Sequence, residues 1–177
     1  MENRGVLGID ESNHGNFPEI YVAVFSFNWN YVKQAQNPLP RIKIESIDDF
    51  LPDDCEFKHI IFSDQFSEFH VDALKTIAIS EFISYFMIKH KRMRRIINDG
   101  DMKRSIRKKI DSNLSCFKVP KIISRKNADK IYPVVYMADR IANYLFRHYS
   151  EDGLIKPYLN NLITPKFEDY QSLLKTA

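Results

Sequence analysis

Four acidic residues sit where the sequence changes character. Asp10 and Glu11 follow the apolar run Val6-Leu7-Gly8-Ile9, and the chain then turns polar through Ser12, Asn13, His14 and Gly15. Asp99 closes a second run, Ile96-Ile97-Asn98, just ahead of Gly100, and Asp129 lies ahead of Tyr132-Pro133. Carboxylates are costly to bury unless they are paired or bound to metal, so a cation is expected beside them. Hard oxygen donors with no Cys or His pair nearby point to Mg²⁺ or Mn²⁺ rather than zinc. Two such ions, ~3.5–4 Å apart, activate a water and steady the leaving oxygen in phosphodiester hydrolysis. Taken by itself the Asp10-Glu11 pair reads as a strand running out into a polar turn. Adjacent strand residues point to opposite faces, so the pair meets one ion only if the strand ends or twists there, as the turn residues after it would permit.

The elements that must gather these acids follow from hydrophobic periodicity. After the first strand, Ile20 to Phe27 is rich in β-branched and aromatic residues and predicts a second strand, hairpin-paired to the first. Residues 28 to 56, with Pro38, Pro40 and Pro52, read as loop with short local structure. Phe57 to Phe62 gives a third strand. From Ser67 to His90, Leu74, Ile77, Ala78, Phe82, Tyr85 and Phe86 recur at helical steps, with Ser67 and the residues up to Asp72 as a polar, acidic start. Met93 to Asn98 predicts a fourth strand, residues 101 to 112 a basic amphipathic helix, and Phe117 to Ser124 a fifth strand pushed to an edge or bulge by Pro120. Val134 to Tyr149 predicts a long helix and Phe167 to Leu174 a short one. Three leading antiparallel strands followed by alternating helices and strands predict an α/β mixed five-stranded sheet flanked by helices.

At 177 residues, 44% hydrophobic, the chain fits one ordered domain over 1–177, with 153–177 as a short C-terminal tail. A net charge of +3 is a weak field, and the positive charge is concentrated at Lys89 to Arg95 and Lys103 to Lys109. The first cluster fits a helix C-terminus. The second follows Asp99 directly, and Lys103, Arg104, Arg107, Lys108 and Lys109 form either a solvated helix face or a grip on a phosphate backbone. Cys55 and Cys116 are too few for a disulfide framework, which suits a reducing, cytoplasmic setting. No apolar run approaches the ~18 residues of a bilayer span, so no membrane association is expected, and no obligate protein partner is evident. His59 and His70 read as structural or surface histidines, and Trp29 has no assignable role.

Three segments in order, Gly8-Ile9-Asp10-Glu11, Ile97-Asn98-Asp99-Gly100 and Ala128-Asp129-Lys130-Ile131-Tyr132-Pro133 followed by Ala138 and Ala142, resemble the type 2 ribonuclease H family, above all its archaeal branch. The resemblance implies a ribonuclease H-like fold. It also implies Asp10, Glu11, Asp99 and Asp129 as catalytic metal ligands that cut the RNA strand of an RNA/DNA hybrid. The chain departs from that family at Asn13-His14-Gly15, where Gly-Arg-Gly is usual for holding the ribonucleotide; of that loop only the last glycine remains, and His14 could still touch a phosphate. It departs again at Asp139, where a serine is usual, and in its shorter tail. Asp10-Glu11-Ser12 with Ala138-Asp139-Arg140-Ile141-Ala142 also resembles a broader ribonuclease H-like family of uncharacterised proteins marked by Asp-Glu-Ser and Ala-Asp signatures, which implies Asp139 as the late ligand. The expected function is metal-dependent endonucleolytic hydrolysis of nucleic acid. Asn13, His14, Gly15, Lys103, Arg104, Arg107 and Lys108 are its candidate substrate contacts. The alternatives are a non-catalytic nucleic-acid-binding or interaction module, or a nuclease with another substrate.

Overall fold

Runs of valine, isoleucine and aromatic residues set the strands, and the pairing partner decides where each stops. The computed structural model describes residues 4–12 and 16–174. Strands β1 (Gly5–Ser12), β2 (Glu19–Ser26), β3 (Cys55–Phe62), β4 (Met93–Asp99) and β5 (Ile122–Arg125) form one five-stranded sheet in the order β3-β2-β1-β4-β5. The first three are antiparallel neighbours, whereas β4 joins β1 in parallel and β5 joins β4 in parallel. This mixed sheet, with its helices, is the ribonuclease H-like arrangement expected above.

Helix α1 (Ile47–Phe50) lies in the β2–β3 connection. Helices α2 (Val71–His90) and α3 (Arg104–Asn113) cover one face of the sheet, and α4 (Pro133–Arg147) covers the other. The tail adds α5 (Asp152–Ile155), a 3-10 segment (Lys156–Asn161) and α6 (Gln171–Leu174). Because both faces are covered, β1 and β2 are buried nearly throughout and show no polar alternation. Leu7, Ile9, Tyr21 and Ile96 pack with α2, while Val6, Val22 and Ile97 pack with α4. Among the described residues no helix is long and apolar enough to cross a membrane.

Several boundaries differ from the sequence reading. β1 does not stop at Asp10: its pairing with β2 continues through Glu11↔Tyr21 to Ser12↔Ile20. The fifth strand is confined to Ile122–Arg125, because Pro120 has no N–H to donate and the ladder to β4 begins only at Ile96↔Ile122. Ser67 does not start α2; a 3-10 turn (Asp64–Phe66) intervenes and His70 is the cap, its Nδ1 accepting from the Asp72 N–H at 3.1 Å. Arg94 and Arg95 belong to β4 rather than to the end of α2, and their guanidinium carbons stand 4.3 and 5.0 Å from the ring centre of Trp29.

β1 and α4 meet at Gly8, where an added Cβ would lie 2.6 Å from the backbone carbonyl of Val134. Gly8→Ala therefore forces α4 away from the sheet. It should cost about 1–3 kcal/mol, the usual penalty of overpacking, read as a lower midpoint in urea denaturation.

His59 is fully buried beside Phe57, and neither ring nitrogen has a partner among the described residues. Burial, helped by the Lys58 charge, lowers its pKa from 6.5 to about 4. The unfolded chain then binds more protons than the folded one as pH falls from 6.5 to about 4, so stability is lost across that window. His59→Leu should remove this loss. Comparing unfolding free energies of variant and parent at pH 7 and pH 4.5 should show a change in their difference of about 2–3 kcal/mol in favour of the variant at the lower pH.

Candidate active site

The parallel pairing of β1 with β4 sets the site. Gly8 stands opposite Ile97 and Ile9 opposite Asn98. One step further in this register brings Asp10 beside Asp99, on the face that Val6 and Ile97 turn to α4. Asp10 is 2% exposed. Its Oδ1 accepts the Glu11 N–H at 2.8 Å, and its Oδ2 is buried with no partner among the described residues. Burial first, then the charges of Glu11, Asp99 and Asp139, push its carboxyl well above the ordinary range.

Asp99 is tied to the segment carrying Asp129. After β5 the chain passes through Asn127 in the left-handed region (φ 57°) into a 3-10 turn (Ala128–Lys130). The Ala128 N–H donates to Asp99 Oδ1, and the Asp129 N–H points to the same oxygen at 3.4 Å. Burial raises the Asp99 pKa, as do the charges of Asp129 and Glu11, against the lowering effect of the Ala128 and Asp129 N–H groups.

Glu11 points to the other face of the sheet. Its Oε1 meets Lys75 Nζ of α2 at 2.9 Å, with both side chains largely buried. The continuing strand explains the split: Asp10 and Glu11 alternate as any two neighbours in a ladder do. Lys75 is the cation whose need the Asp-Glu pair signalled, and the sequence reading missed it. Its only signature is a lysine set inside the apolar stretch Leu74 to Ile79. Asp139, on α4, is neutralised too: Oδ2 accepts from Arg140 Nε at 2.7 Å and from Nη2, and Oδ1 accepts from Asn143 Nδ2 at 2.7 Å. Among the described residues neither Asp10 nor Asp99 has a cationic partner.

Asn98 was also missed. It is buried, its Nδ2 donates to the Asp99 carbonyl and its Oδ1 has no partner among the described residues. Asn13, His14 and Gly15 lie outside the described residues. The basic helix α3 buries Ile106 and Ile110 against α2, on the face opposite Asp10 and Asp99. Lys103 pairs with Asp72 at 2.6 Å, and Arg107 with Asp111 at 3.2 Å and the Ile122 carbonyl at 3.2 Å, whereas Arg104, Lys108 and Lys109 are exposed.

An all-oxygen donor set with a buried, unpartnered Asp10 Oδ2 fits a hard divalent cation. Glu11 through Oε1 and Asp139 through Oδ2 already meet protein cations, Lys75 and Arg140. Among the described residues no group of three carboxylate, imidazole or thiol side chains is placed so that it could hold a metal ion.

Sheet order, helix placement and carboxylates at the strand ends define a ribonuclease H-like fold. Among solved structures the chain is similar to a mutant of Bst-RNase HIII, with a TM-score of 0.60, 14% identity and 92% of this chain covered. It spans 57% of that protein's length. It is also similar to RNase HII from Archaeoglobus fulgidus, in its complex with PCNA, with a TM-score of 0.55, 14% identity, 96% of this chain and 86% of that one. No family model and no curated protein sequence matches.

Burying the Asp10 carboxyl next to Asp99, where its ionised form is disfavoured, weakens the metal-free fold. Asp10→Asn should raise its stability by about 1 kcal/mol, or about 2–4 °C in melting temperature, measured by thermal denaturation in EDTA. A variant that melts lower than the parent would contradict this account of the site.

Proposed function

We propose that this chain hydrolyses phosphodiester bonds in nucleic acid with the help of divalent metal, and that the RNA strand of an RNA/DNA hybrid is its first substrate to test. The observation that carries the reading is the adjacency of Asp10 and Asp99 on one face of two parallel strands, with an Asp10 oxygen that has no protein partner. The similarity in fold to RNase HII and RNase HIII supports the choice of substrate.

Asp10, Glu11, Asp99 and Asp129 are the residues that would hold Mg²⁺ or Mn²⁺, which when bound supplies an activated water and offsets charge on the leaving oxygen. The chain's own groups do the positioning. The Ala128 N–H fixes the Asp99 carboxylate and keeps Asp129 alongside it. Lys75 offsets the Glu11 charge. Arg140 holds Asp139 back from the ligand set, which favours Asp129 as the late ligand.

Purified protein with Mn²⁺ should cleave a labelled hybrid. Asp10→Asn, Asp99→Asn and Asp129→Asn should each reduce the rate by at least about 100-fold, an effect of the size expected when a group that stabilises transition-state charge is lost. Asp139→Asn should retain most of the activity; the reverse pattern would make Asp139 the late ligand. The two built-in ion pairs, Glu11–Lys75 and Asp139–Arg140, favour a second reading, a nucleic-acid-binding module that neutralises its acids with its own cations. Calorimetric titration with Mn²⁺ separates the two. Saturable binding lost in Asp99→Asn supports the enzyme, and no binding supports the module.

A further inference from the structure

Antiparallel neighbours such as β2 and β3 need only a short turn between them. Here the chain leaves β2 at Ser26 and re-enters at Cys55, and it uses the excursion to cross the layer of α4. The Ala35 N–H donates to the Ile131 carbonyl and the Leu39 N–H to the Lys130 carbonyl, each at 2.8 Å. Further on, Arg140 Nη1 donates to the Ile42 carbonyl at 2.7 Å and Arg147 Nη2 to the Ile44 carbonyl at 2.8 Å. Residues 41–44 thereby become one wall of a cavity of about 450 Å³ whose other walls include Glu11 and Asp139.

This cavity is cationic although two of the acids line it. Arg41, Lys43, Arg140 and Arg147 line it together with Asp139, while the Glu11 carboxylate is paired with Lys75 on the other face of the sheet. The two α4 arginines are engaged with loop carbonyls and, for Arg140, with Asp139. Arg41 and Lys43 are exposed and form no ion pair among the described residues. Ser12, 4% exposed, lines the same cavity, and its hydroxyl has no partner among the described residues. Exposed cations beside a buried, unsatisfied hydroxyl are what a phosphate oxygen requires.

We propose that residues 41–44 are a backbone clamp: a polynucleotide strand that presents one phosphodiester to Asp10 and Asp99 lays a neighbouring phosphate in this cavity, against Arg41, Lys43 and Ser12. The proposal rests on the nucleic-acid reading above and adds the element that holds the strand in place. Contacts of this kind carry no base readout, so the grip is independent of sequence and sensitive to salt.

Fluorescence anisotropy with a labelled RNA/DNA hybrid in EDTA tests it without turnover. Arg41→Ala with Lys43→Ala should weaken binding at least about 10-fold and reduce the slope of log affinity against log salt by about 1–2. The melting temperature should not change. Arg41→Lys with Lys43→Arg, which keeps the charges, should retain affinity. Unchanged affinity and slope in the alanine pair would overturn the clamp and leave the nuclease reading standing. Loss of binding in that pair, from a parent that cleaves nothing with Mn²⁺, would support the clamp and overturn the nuclease. A parent that binds no hybrid would overturn both.

Discussion

Two like charges on neighbouring strands are the constraint around which this molecule is arranged. The parallel register of β1 and β4 brings Asp10 and Asp99 to one face at the strands' ends, where burial removes the water that would otherwise screen them. The fold relieves this in unequal measure. Asp99 receives peptide N–H groups from the Ala128 turn, Glu11 a lysine from α2, and Asp139 an arginine from its own helix. Asp10 receives one neighbouring N–H and no cation among the described residues. A buried carboxylate left in that state is an energetic cost retained by the fold, and such costs cluster where a protein binds or reacts.

Helix α4 connects the parts. Its first turn presses on β1 at Gly8, its middle carries Asp139 and Arg140, and Arg140 and Arg147 hold the long β2–β3 connection in place. Any change in how α4 sits on the sheet therefore moves the acidic rim and the basic wall together. Lys75 plays a comparable part from the opposite layer, reaching between the ends of β1 and β4 to Glu11. One charge-rich edge of the sheet is thus held from both sides by helices whose remaining contacts are largely apolar.

Most of the architecture was legible in the chain, because strands such as Ile20 to Phe27 and helices such as Leu74 to Phe86 carry their burial pattern in residue type and period. Boundaries were less so. Whether β1 stops at Asp10 or runs to Ser12 depends on a pairing with Ile20, and whether Phe117 joins β5 depends on which residues find a partner on β4. The excursion between β2 and β3 has no periodicity, and its course over α4 is written in backbone hydrogen bonds that side chains do not announce.

By themselves the residues determined the kind of fold and the need for positive charge beside the acids at its strand ends, because buried carboxylates demand compensation wherever they occur. Only the tertiary structure decided where that charge comes from. Lys75 lies far from Glu11 along the chain, whereas Asp139 takes its partner, Arg140, from the next position of its own helix. Electrostatic partners are chosen by distance in space, and strand alternation sends Asp10 and Glu11 to opposite layers whatever their adjacency in sequence.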